Sequence, residues 1–175
     1  MLTGELVTLR PIERDDVPLL HAWDQDHDTW PESSANPYAP TSLADTFVAY
    51  DAKDPSHFRA DDKNLPLAVT VGDALVGSVC LWGIDTFNRR AHLGISLGPD
   101  HRGKGYGTDA CRVIVRHAFV DRGLHRVQLE VLASNTAGLR AYEKAGFVRD
   151  GVLRQSAWVR GALVDEVVMS VLATD

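Results

Sequence analysis

The chain has 175 residues, 45% of them hydrophobic, which is enough to bury a core without disulfide staples, and no apolar run approaches the ~20 residues of a membrane helix. Its formal net charge of −6 is uneven: residues 1–66 carry 13 acidic and 5 basic side chains, residues 67–175 carry 11 and 13. The acidic balance argues against nucleic acid as a partner, the absence of C-x-x-C and H-x-x-x-H spacing argues against a metal, and the opening lacks a basic-then-apolar leader, so a cytoplasmic protein is expected.

In chain order, residues 5–10 alternate as a strand. Asp15 and Asp16 open a helix with Pro18 in its first turn and Leu19, Leu20 and Trp23 on an apolar face. Pro31, Pro37 and Pro40 break residues 25–40, a short helix is expected at 43–50, and 51–64 is polar and loop-like. Strands are expected at 65–71 and 75–82, joined by a turn at Gly72-Asp73, and again at 91–97. Ala110, Val113, Ile114, His117 and Ala118 recur at helical spacing within 108–122. A strand at 126–132 precedes a helix at 136–145, capped by Asn135 and stopped by Gly146. Strands at 147–153 and 164–172 close the chain, with 158–161 in the connection. Long runs of adjacent strands favour one mixed sheet flanked by helices over a doubly wound fold, within a single domain spanning 1–175.

The most informative segment is Pro99-Asp100-His101-Arg102-Gly103-Lys104-Gly105-Tyr106-Gly107-Thr108, between a strand and a helix. Alternating glycines let the backbone approach a ligand, and N–H groups at a helix start point at an anion. Arg102 and Lys104 add positive charge. Gly98 to Lys104 reads G-x-x-x-x-G-K, but Gly105 stands where a magnesium-binding P-loop needs Ser or Thr. A loose dinucleotide pattern at Gly105, Gly107 and Ala110 lacks the βαβ unit that it normally opens. A third pattern also fits: R-x-x-G-x-G at Arg102, Gly105 and Gly107.

With that signature, the chain resembles the GNAT superfamily of acyl-CoA-dependent N-acyltransferases. The segments Leu129-Glu130-Val131-Leu132-Ala133-Ser134-Asn135 and Ala141-Tyr142-Glu143-Lys144-Ala145-Gly146-Phe147 look like the family's other characteristic block. The opening Leu9-Arg10-Pro11 and the ending with Arg154, Gly161 and Asp165 are similar to the RimJ/RimL-type branch, which acetylates protein N-terminal amines. The resemblance implies an α+β fold: a single mixed, mostly antiparallel sheet of about seven strands with about four helices. It also implies acetyl-CoA as co-substrate, no metal, and transfer to a primary amine in a ternary complex. Cofactor contacts would come from Ile95, Ser96 and Leu97 on the strand, from Arg102, Gly103, Lys104, Gly105, Tyr106, Gly107 and Thr108 in the turn, and from Asn135 and Lys144.

Tyr142 lies seven residues, about two helical turns, beyond Asn135, on the same helix face, and by resemblance protonates the departing thiolate. The base stays open among Glu130, His92 and water; Glu130 could instead be paired with Arg126 or Arg149, and His92 could be a satisfied half-buried ring. A non-catalytic acyl-CoA-binding or sensor module would keep the glycine turn and lose the acid. Asp24, Asp26, Asp28 and Glu32, beside Trp30 and Tyr38, either recruit a cationic acceptor, whether a protein N-terminus or a small amine, or form a solvated acidic face. A two-fold homodimer is the default assembly.

Overall fold

The computed structural model describes residues 1–27, 38–52, 58 and 60–175. They form one eight-stranded sheet: β1 (Leu2–Thr3), β2 (Thr8–Arg10), β3 (Leu65–Val71), β4 (Ala74–Asp85), β5 (Arg90–Leu97), β6 (Arg126–Leu132), β7 (Val148–Val159) and β8 (Ala162–Leu172). Its spatial order is β1-β2-β3-β4-β5-β6-β8-β7. Every neighbouring pair is antiparallel except β5 with β6. The helices are α1 (Val17–Asp24), α2 (Leu43–Asp51), α3 (Tyr106–Val120) and α4 (Thr136–Lys144). None of the described helices is long and apolar enough to cross a membrane.

Alternation along the strands sends side chains to two layers. Leu65, Leu67 and Val69 of β3 join the main core, where Cys111, Val113 and Ile114 of α3 and Leu139 of α4 cover the sheet. Ala68 on the other face of β3 packs with Ile12, Leu20 of α1 and Leu75, and Trp23, Tyr50 and Phe58 lean on this smaller cluster. With both faces covered, β3 is buried along almost its whole length. Arg10 grips Asp16 with two hydrogen bonds of 2.6 and 2.8 Å, which fixes the chain's turn into α1. Ser42 caps α2 by accepting from the Asp45 N–H, and Asn135 caps α4 by accepting from the Gly138 N–H at 2.8 Å.

The first and last expected strands change most. The strand expected at 5–10 is instead a hairpin: Thr3 pairs with Thr8, and the Gly4 N–H donates to the Val7 carbonyl at 2.8 Å. The last two strands continue through the expected connection, so Trp158 faces Leu163 across the ladder and only Arg160-Gly161 turns. The short β1 brings the strands to eight, where about seven were expected.

Candidate active site

The parallel strands β5 and β6 pair only from Arg90 with Arg126 to His92 with Gln128. Beyond that they diverge, because β5 stays bound to β4 as far as Leu97 while β6 follows β8. A cavity of ≈ 600 Å³ opens in the gap. Ile95, Ser96 and Leu97 line one side, and Glu130, Val131 and Leu132 the other. The backbone of β5 on this side has no strand partner, so its polar groups are open to a ligand.

Arg102, Gly103 and Gly105, with Gly107 and Thr108 of α3, form one wall. Gly105 is the N-cap of α3 at φ 86°, a left-handed conformation, and no side chain caps the helix. The first N–H groups of α3 are therefore left for an anion, with the helix dipole behind them. The Arg102 Nε donates to the Leu97 carbonyl at 3.2 Å and holds the turn to the end of β5. Along α4, Asn135, Gly138, Arg140, Tyr142 and Lys144 complete the lining. Arg102, Arg140 and Lys144 supply cations suited to a polyphosphate. A gap of this size with open backbone, cations and an uncapped helix start at one wall fits an acyl-CoA.

Tyr142 reaches the cavity from α4 and packs on the main core, edge-on to Phe147 at 5.9 Å between ring centroids. Burial, and secondarily the Cys111 thiol beside it, push its phenol far above the ordinary tyrosine range, so it stays protonated at neutral pH. Burial works against a reactive thiolate at either cysteine. Burial pushes the Cys111 thiol up to about 12 and raises Cys80 as well, and a neutral thiol attacks slowly.

Glu130 lines the cavity two residues beyond Gln128, the last residue of β6 that pairs with β5. Neither arginine that could have neutralised it does so: Arg126 binds Asp150 at 2.6 Å and Arg149 binds Glu143 at 2.8 Å. His92 does not line the cavity. Its ring stacks on Trp82, centroids 4.2 Å apart, and its buried Nδ1 lies 3.5 Å from Glu130 Oε2 without hydrogen-bonding geometry. The Gln128 amide nitrogen sits 3.5 Å from His92 Nε2 and 3.4 Å from Glu130 Oε1. Both ring nitrogens thus face protein groups, and Glu130 is the side chain of the three that meets the cavity.

Residues 7–148 match the family model described as Acetyltransferase (GNAT) domain. The chain belongs to the GNAT acetyltransferase family. It is an acyltransferase whose co-substrate is acetyl-CoA. Among the relatives of this GNAT acetyltransferase is an uncharacterized N-acetyltransferase, p20, of Bacillus licheniformis, 26% identical with 98% of this chain and 95% of that one covered. Another is a spermidine N(1)-acetyltransferase of Vibrio cholerae, 26% identical, with 95% and 92% covered. A crystal structure of the Vibrio cholerae spermidine N-acetyltransferase in complex with CoA and spermine superposes with a TM-score of 0.86 at 24% identity, covering 98% of both chains, and shares the fold.

In this GNAT domain the cavity gathers Ile95, Ser96, Leu97, Arg102, Gly103, Gly105, Gly107, Thr108, Glu130, Asn135, Tyr142 and Lys144. Two expected contacts lie outside it: Lys104 is exposed, and Tyr106 packs against the main core. Glu166 of β8 also lines the cavity, brought there by its pairing opposite Leu132. The signal for it was the alternation of β8, usable only once β8 is known to pair with β6. Asp24 ends α1 and Asp26 follows it, neither in the cavity lining, while Asp28, Trp30 and Glu32 lie outside the described residues.

Proposed function

We propose that this enzyme moves the acetyl group of acetyl-CoA directly to a primary amine of the polyamine class, in a ternary complex at the gap between β5 and β6. The observation that carries the reading is the convergence of Tyr142 and Glu130 on one cavity whose other wall is the glycine turn. The amine nitrogen attacks the thioester carbonyl carbon; the C–N bond forms, the C–S bond breaks, and the amine proton passes to Glu130, directly or through water. The Tyr142 O–H protonates the sulfur. Burial keeps that phenol in its protonated form, ready to donate. Open backbone N–H groups of β5 stabilise the oxyanion.

Glu130 and Glu166 give the cavity a carboxylate side opposite in sign to Arg102, Arg140 and Lys144, which suits a cationic acceptor and an anionic donor. Similarity to a spermidine acetyltransferase supports the polyamine class. The RimJ/RimL-like opening and ending favour a protein N-terminus as the second reading, although an α-amine, with pKa ~8, is the weaker cation. Glu130→Gln tests the base: the carboxamide keeps the shape but takes no proton, so kcat/KM for the amine should fall about 10²–10³-fold, with acetyl-CoA affinity nearly intact. Activity within about threefold of the parent at pH 7 would remove Glu130 from the role.

A further inference from the structure

The expected first strand breaks at Gly4-Glu5-Leu6-Val7, and the cause lies more than a hundred residues away. Asp109, in the first turn of α3, is 5% exposed. Its carboxylate accepts from the backbone N–H of Glu5 at 3.2 Å, of Leu6 at 2.7 Å and of Val7 at 2.9 Å. Two turns along the same helix, Arg116 donates to the Thr3 carbonyl at 2.8 Å. A side chain at Gly4 would collide with Asp109 and with Val113, so the hairpin sits flush on the helix. Leu6, 49% exposed, places its Cδ1 3.2 Å from where a Cβ of Gly105 would stand. A buried carboxylate that close to a phosphate site is electrostatically unfavourable to the ligand, yet here it is spent on three N–H groups of a distant loop.

We propose that Asp109 and Leu6 are positioning residues for the cofactor: the hairpin turn Gly4–Val7, held by Asp109, braces the glycine turn from behind and sets the affinity for CoA. The proposal rests on the glycine turn being the pyrophosphate site. Neither residue needs to touch CoA to act. Asp109 anchors the loop to the first turn of α3, and the loop carries Leu6 against Gly105, the left-handed N-cap of that helix. Glu5, Leu6, Gly105 and Asp109 also share the lining of a smaller pocket, of ≈ 280 Å³, behind the turn.

The charge of Asp109 makes the test sharp, because brace and charge predict opposite signs. Asp109→Asn removes a negative charge near the anion, which by Coulomb attraction alone would tighten CoA. As a brace, Asn turns an N–H₂ toward backbone donors and frees the loop, so CoA should weaken by about tenfold or more. Leu6→Ala is the second variant; its side chain is half exposed, so the fold tolerates truncation and it decides the matter if Asp109→Asn fails to fold. Titration calorimetry with CoA, followed by steady-state kinetics, should show a raised Kd and a raised KM for acetyl-CoA in both, with kcat at saturation and the amine KM unchanged. A merely structural role would lower the melting temperature without that split. CoA affinity unchanged in folded Leu6→Ala, or tighter in Asp109→Asn, overturns the proposal. Failure of the parent protein to bind CoA overturns the cofactor reading itself, and this proposal with it.

Discussion

Gly105→Val should abolish CoA binding and leave the protein folded. Gly105 holds φ 86° and ψ −9° at the N-cap of α3, where a β-branched residue costs ~1–2 kcal/mol or more. The new Cβ would also press on Leu6 Cδ1 at 3.2 Å. Because Gly105 is exposed, the core is untouched and the strain is relieved locally, by the turn changing shape. That change moves the first N–H groups of α3 off the phosphate. Calorimetric titration should detect no CoA binding at concentrations that saturate the parent, with an unchanged far-ultraviolet dichroism spectrum. Parental affinity in a folded variant would place the cofactor elsewhere.

Tyr142→Phe should lower kcat about 10²–10⁴-fold, the usual worth of a positioned acid. The ring packs on the main core and against Phe147, and phenylalanine preserves both contacts, so loss of packing does not explain a loss of rate. Acetyl-CoA affinity should stay close to the parent's. Since burial holds the phenol above its ordinary value near 10, the protonated acid persists through neutral pH and beyond, and kcat of the parent should show no fall assignable to Tyr142 up to about pH 10. Turnover of the variant within twofold of the parent, with chemistry rate-limiting, would contradict the assignment.

Local chemistry made much of this site readable in advance. The strand at 126–132 and the helix after Asn135 announce themselves through alternation and a capping side chain, and both stand where expected. The glycine turn is marked by its own spacing, and it forms a wall of the cavity. What escaped depends on distant pairing. The alternation of residues 5–10 resembles a strand, but three N–H groups in it are claimed by Asp109. Glu166 enters the cavity only through the β6–β8 register. His92, a candidate base in the sequence, does not line the cavity: its ring stacks on Trp82 and its Nε2 meets the Gln128 amide, both on the neighbouring strands. Trp158, with the glycine that follows it, looked like a turn and is instead an exposed cross-strand partner of Leu163.

In the proposed mechanism the two carboxylates of the cavity serve the acceptor and its three cations the donor, with no covalent relay through the chain. Cys80 and Cys111, the two thiols of the sequence, are both kept neutral by burial. The reaction we propose therefore takes the acetyl group from sulfur straight to the incoming nitrogen. This is tested most directly by quenched single-turnover mass spectrometry of the enzyme with stoichiometric acetyl-CoA, first alone and then with spermidine or a peptide bearing a free N-terminus. The account predicts no acetyl on the protein before the amine is added. On its addition, the amine should gain ~42 Da and one CoA thiol should be released for each amine modified, as direct acyl transfer requires. Acetyl found on Cys80 or Cys111 before the amine arrives, or CoA held with no transfer to any primary amine, would contradict it.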